Sequence, residues 1–543
     1  MLDLIIKNGK IADGSGNPWY YGDVAVKDGK IAAVGRIEQE AARRLDAKGR
    51  VVAPGFIDGH CHSDLMIMNY PDSTIKLSQG VTTEVIGNCG LGPAPLGAPF
   101  AAQLKQYIQP VLGELHRHDW SWETLAQYRR AVEAVRPSEN LSTYVPHGAL
   151  RIAAMGFEDR PPTKADMARM RAMLEEGMQA GAIGLSIGLL YAPGSYATKE
   201  ELAELCEVLP AYGGLLSTHI RGEGSHLIAS LREVIWVAER AGVPLHVSHL
   251  KAAGRRNWGL VLEAMEIMAD ARARGMDVTC DVYPYAASST MLTTVLPPWT
   301  LEGGIDATLA RFGDPALRAR IIRELGEEQD DWDNLVCSTG WDKVVIASVQ
   351  TAANQAAEGR SIAELSAARG CHPVECVMDL LTEEAGNVAI VYFLMNEDDV
   401  RQVIQWDYAL VASDSLHCDL GKPHPRLYGS FPRLFAKYVR EERALSLEQA
   451  VRKLTSFPVQ RFRLGERGLL VPGYAADLVV FDPATIQDHA TFEQPKQLPG
   501  GISHVIVGGE LTLEEGRHTQ AAAGRFLSAS GHVGCGHAAN GGH

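Results

Sequence analysis

Across residues 54–465, short apolar runs of strand character alternate with segments of helical periodicity, and this alternation restricts the architecture more than any other feature. The strand-like runs fall at 55–58, 82–86, 184–186, 215–218, 245–248, 277–280, 388–391 and 409–413, and helical stretches lie between many of them, as at 164–180, 199–212, 228–241 and 260–275. Strand–helix–strand units of this size return to a parallel sheet. About eight such strands favour a closed (β/α)8 barrel of the TIM type. The fold expected is therefore α/β, with the barrel as its body.

The two ends read differently. Residues 1–53 and 466–520 carry short β-rich runs broken by turns such as Asn8-Gly9 and Asp28-Gly29. Each end is too small to enclose a core of its own, so a β-sandwich domain shared by both is expected. Residues 286–346, with Leu296-Pro297-Pro298-Trp299 and a charged helical stretch at 315–329, find no place in the strand–helix series and are expected to form a lid-like insertion at the barrel mouth. The Gly/Ala/His-rich stretch 521–543 is expected to be a frayed tail.

Charge and cysteine content narrow the function. Lys and Arg number 51 against 66 Asp and Glu, a formal charge of −15, which argues against a nucleic-acid binder or a polybasic membrane protein. There is no apolar run of about 18 residues and no leader pattern at the N-terminus, so the cytoplasm is the expected compartment. The nine cysteines include no CxxC pair, which excludes a zinc ribbon and a thioredoxin-like site. Most are expected to be buried thiols.

Chemistry concentrates where strands end. The first run closes on Pro54-Gly55-Phe56-Ile57-Asp58-Gly59-His60-Cys61-His62, in which His60 and His62, two residues apart in an extended chain, project to one side while Cys61 points to the other. Two imidazoles on one face suit a metal ion, although an HxH alone is a weak signal. Later strand ends supply Cys89, His219, His249 and Asp414. Barrel enzymes place their chemistry at the C-terminal ends of strands, and it is the convergence of these residues that is specific. His246, at odd spacing from His249, is expected in the core or behind the site.

With these residues in view, the chain resembles the amidohydrolase superfamily. The strings Gly87-Asn88-Cys89-Gly90, Thr218-His219-Ile220-Arg221-Gly222 and Ser248-His249-Leu250-Lys251 are similar to those of its D-aminoacylase branch, the N-acyl-D-amino-acid deacylases. The resemblance implies one tightly held zinc on Cys89, His219 and His249. A weaker second site would be formed by His60 and His62 with Cys89. It further implies metal-activated water, with Asp414 as general base and then general acid. The free α-carboxylate of such a substrate needs a cationic clamp. Lys251, Tyr283 and Ser289 are the residues implied for binding, Tyr191 is placed to shape the pocket, and Lys343 stands where the branch uses a lid arginine. Arg221 and Glu223 are candidates for a supporting ion pair. Two other readings stay open: a cyclic-amide hydrolase of hydantoinase or dihydropyrimidinase type, and an inactive protein on the same scaffold. The acyl group, the side chain and the oligomeric state stay open as well.

Overall fold

The computed structural model describes residues 1–417 and 420–529. Its central parallel strands pair in chain order. Phe56–Asp58, Val81–Ile86 and Asn140–Thr143 form one run. Val145–Pro146, Gly184–Gly188, Leu215–His219, Leu245–Val247, Val278–Val282 and Ala409–Val411 form the next. Tyr144 links the two, its N–H donating to Ile86 O at 3.1 Å while Ile183 N donates to Thr143 O at 2.9 Å. Beyond the last strand, Ser415–Leu416 pairs in parallel with Cys61–His62 and so returns to the first. All these strands are buried along their whole length, as parallel strands covered on both faces must be.

Two assignments made from the sequence change. The run at 388–391 is not a parallel strand: Ala389–Tyr392 is the centre of an antiparallel sheet with Ser288–Met291 and Val344–Ser348. A short apolar run reads the same in either setting. The excursion from the parallel series therefore extends past 346 to include that strand. The third parallel strand is instead Asn140–Thr143, whose Asn-Leu-Ser-Thr sequence hides it. Its polar side chains are satisfied internally, with Asn140 Nδ2 donating to Thr82 O and to Asp477. Within the excursion, the charged helix runs over Pro315–Leu325, started by Asp314, which accepts from the Ala316 and Leu317 amides.

The chain ends share one sheet of nine strands, joined where Val51–Pro54 runs antiparallel to Leu478–Phe481. Strand alternation sorts its side chains. Leu4, Ile6, Val24, Val52, Leu478 and Val480 pack in one cluster, whereas Val51, Ala53, Val479 and Phe481 join the core of the central body. No described helix is long and apolar enough to cross a membrane.

The beginning of the expected tail is ordered. Leu141 N donates to Arg525 O at 2.9 Å and Leu527 N to Leu141 O at 2.6 Å, so this segment lies beside the strand Asn140–Thr143 and buries Phe526. The rest, residues 530–543 with Cys535, and likewise Cys418, lie outside the described residues. Phe526→Ala is expected to cost about 3 kcal/mol, seen as a lower denaturation midpoint. A loss under about 0.5 kcal/mol would mean that this docking adds no stability.

Candidate metal centre

Six of the residues singled out in the sequence meet at the C-terminal ends of the parallel strands. The coordinating atoms of His60, His62 and Cys89 lie within 4.8 Å of one another, as do those of Cys89, His219 and His249, and those of His60, His249 and Asp414. Cys89 Sγ is 3.3 Å from His60 Nε2 and 3.4 Å from His249 Nε2. All six side chains are buried.

The loop after Val81–Ile86 has no freedom to place its thiol elsewhere. Gly87 N donates to Asp64 Oδ1 at 2.8 Å, Gly90 N to Ser186 Oγ at 3.1 Å, and Ser186 Oγ to Gly87 O. A Cβ on Gly188 would sit 2.0 Å from Cys89 O, so the neighbouring strand must carry glycine there for the loop to approach. Cys89, His249 and Asp414 all hold left-handed backbone, with φ of 54°, 35° and 47°. Such conformations are costly for non-glycine residues and mark positions that surrounding structure over-determines.

Behind the donors stands a second set of charges. Asp281 accepts from the His249 amide at 2.8 Å and lies 3.1 Å from His60 Nδ1 and 2.9 Å from His246 Nε2. His246 therefore stands behind the site, and its Nδ1 meets Thr279. Glu223 Oε1 lies 3.0 Å from His249 Nδ1 and 2.5 Å from Lys251 Nζ. Carboxylates in these positions fix which ring nitrogen faces inward. Burial pushes the Cys89 thiol up, but the imidazoles of His60 and His249 outweigh it and hold the thiol well below its ordinary value. Burial likewise opposes ionisation of Asp414, and Arg426, His60 and His249 together keep it a carboxylate. Asp414 Oδ1 faces His60 Nε2 and His62 Nε2 at 3.3 and 3.4 Å, and Oδ2 faces Arg426 NH1 at 3.0 Å.

This donor set suits a metal. One thiolate and two neutral imidazoles leave a tetrahedral zinc with an open position. His219 has a buried ring nitrogen without a hydrogen-bond partner, as a metal-directed nitrogen would be. Cys61 turns away, towards Val85 O and Ser63.

Lys251, Tyr283, Ser289 and Tyr191 line the cavity above these donors. Lys343 does not. Its side chain is half-exposed and paired with Asp342 at 2.8 Å, because the segment carrying it leads into the outer strand Val344–Ser348. Arg221 is also differently engaged: it pairs with Glu233, not with Glu223. Sequence reasoning missed Arg426, which is fully buried, with its guanidinium 4.6 Å over the Tyr283 ring and NH2 donating to Ser289 O. It lies on the helix Arg426–Arg433 after the last parallel strand, where no motif marks it. Asp281 was visible two residues before Tyr283, at a strand end, but its role depends on partners far away in sequence.

The model of the amidohydrolase family matches residues 43–513. A D-aminoacylase of Alcaligenes xylosoxydans xylosoxydans is 37% identical over 529 residues, covering 97% of this chain and 98% of that protein. Two solved structures each match with a TM-score of 0.82 at 34% identity, over 97% of this chain and 100% of theirs. One is a D-aminoacylase described by its binuclear metal center, with one-metal activation and second-metal attenuation. The other is the N-acyl-D-glutamate deacylase of Bordetella bronchiseptica complexed with zinc and a phosphonate inhibitor that mimics the tetrahedral intermediate. This chain belongs to the amidohydrolase family. Asp281→Asn is expected to weaken zinc retention 10- to 100-fold, measured by competition with a chelator. Unchanged retention would show that Asp281 does not orient the ligands.

Proposed function

Within that family, we propose that this chain is a zinc-dependent deacylase that cleaves N-acyl-D-amino acids to a carboxylate and a free D-amino acid. The observation that carries the reading is the meeting of Cys89, His219 and His249 beside Asp414, whose oxygens face His60, His62 and Arg426. Cys89, His219 and His249 would hold the tight zinc, and His60 and His62 would complete a weaker site with Cys89. Zinc, when bound, supplies the Lewis acidity that polarises an amide carbonyl and makes water acidic enough to attack at neutral pH.

The chain's own groups do the rest. Asp414 Oδ1, turned towards the imidazoles of His60 and His62, takes the proton of the attacking water and delivers it to the departing amide nitrogen. Arg426 keeps that carboxylate ionised and oriented from its other oxygen. The α-carboxylate of the substrate would be held by Lys251 with the hydroxyls of Tyr283 and Ser289. Arg426, whose buried Nε makes no hydrogen bond, closes this clamp from behind Tyr283. Tyr191, whose ring packs 4.9 Å from that of His219, bounds the pocket on the side of the scissile bond. A cyclic-amide hydrolase is disfavoured because the strand Gly184–Gly188 carries no lysine to bridge two metals, and Cys89 occupies the centre instead.

The scaffold we infer is one (β/α)8 barrel over 54–465, closed where Ser415–Leu416 meets Cys61–His62. The two chain ends (1–53 and 466–520), which share one nine-stranded sheet, would make up the β-sandwich beside it.

On N-acetyl-D-amino acids, Asp414→Asn should lower kcat by about 10²- to 10⁴-fold while zinc content, read by atomic absorption, stays at the wild-type level. A near-normal kcat would remove Asp414 from the proton path. Stripping zinc with a chelator should abolish hydrolysis and readdition restore it, and N-acetyl-L-amino acids should be turned over far more slowly than their D-enantiomers. Equal turnover of both enantiomers would contradict the substrate assignment.

A further inference from the structure

The space immediately around the metal donors is small. That cavity holds about 40 Å³, much less than its neighbour. It opens, past Leu190, Tyr191, Thr294 and Asp333, into an outer chamber of about 440 Å³, which is within the usual range for a small-molecule site. The chamber shares these four residues with the inner cavity, so it offers room for a larger substituent of a substrate gripped by its carboxylate and its amide.

The chamber wall mixes aromatic and aliphatic side chains, among them Tyr107, Tyr196, Leu296, Trp299, Leu301 and Trp332, with polar and charged ones. Its charged groups are unevenly committed. Both cations are engaged: Arg221 pairs with Glu233 and donates to the Ser195 and Ala197 carbonyls, and Arg320 pairs with Glu324 at 2.6 Å while its guanidinium lies 4.0 Å over the Trp299 ring. Asp159 and Asp331, by contrast, line the chamber without an ion pair among the described residues, and Asp333 spends its oxygens on the Gly224 and His226 amides and the His226 ring. An anionic group entering here would meet Asp159 and Asp331, while both cations are already paired with carboxylates.

We propose that this chamber is a binding subsite for an extended, uncharged apolar substituent of the substrate, and that it rejects a second carboxylate. The proposal rests on the deacylase reading above and narrows it: the chain would differ in preference from the relative that acts on N-acyl-D-glutamate. The substituent has two possible sources, the acyl chain or the amino-acid side chain.

Two substrate series separate the sources. One lengthens the acyl group on D-alanine from acetyl through butyryl to hexanoyl. The other keeps acetyl and varies the side chain from D-alanine through D-norvaline to D-norleucine. The series that enters the chamber should gain about fourfold in kcat/KM per added methylene, and the other should stay flat. N-acetyl-D-glutamate should fall at least tenfold below its isostere N-acetyl-D-glutamine. Trp299→Ala should cut the long-to-short ratio in the responding series at least threefold; the ratio is internal to each preparation, so partly unfolded protein does not affect it. Two flat series, or equal kcat/KM for the glutamate and glutamine substrates, would overturn the proposal. If no N-acyl-D-amino acid is hydrolysed, the deacylase reading fails, and tryptophan fluorescence of the zinc-loaded protein still tests the chamber. N-hexanoyl-D-norleucine should then bind at least tenfold more tightly than N-acetyl-D-alanine, and equal affinities would refute the subsite.

Discussion

A buried sulfur between imidazoles organises this molecule. A thiol as enclosed as Cys89 would remain protonated in an apolar core, yet His60 and His249 reach its Sγ from two sides and favour the thiolate. Those imidazoles are in turn held by carboxylates, His60 by Asp281 and His249 by Glu223, and Glu223 is balanced by Lys251. The centre is thus a set of mutually paired polar groups, each of which would be costly to bury alone. Three of its members, Cys89, His249 and Asp414, sit on left-handed backbone, so the parallel strands must fix these loops against their local preference.

The division of labour follows from the topology. The metal donors and Asp414 come from the ends of parallel strands, which are rigid and buried. The groups proposed to meet the rest of a substrate come from what is added to them: Ser289 from the antiparallel excursion, Arg426 from the helix after the last strand, and the outer chamber largely from the stretch between Met291 and Asp333. Relatives that share the donors can therefore differ in the substrates they take without disturbing the centre.

Much of this was legible in the sequence, and what was not has physical reasons. The convergence of His60, His62, Cys89, His219, His249 and Asp414 could be expected because they stand at strand ends, where residue type and position carry the signal together. The pairing of the two chain ends followed from their shared β character and their small size. The third parallel strand was hidden because Asn140, Ser142 and Thr143 satisfy their polar groups inside the fold, which hydrophobic periodicity cannot register. The run at 388–391 misled because buried strands look alike in parallel and antiparallel sheets. Arg426 and the partners of Glu223 depend on contacts between distant segments. Lys343 was chosen by its place in the chain, and its side chain faces outward.

The claim on which the rest depends is that the Cys89 sulfur is a metal ligand, and X-ray absorption at the zinc K-edge addresses it directly. The zinc-loaded protein should show one sulfur at about 2.3 Å together with nitrogen or oxygen neighbours at about 2.0 Å, and the sulfur shell should vanish in Cys89→Ser. A spectrum with only nitrogen and oxygen neighbours, or a sulfur shell that survives the substitution, would contradict the account.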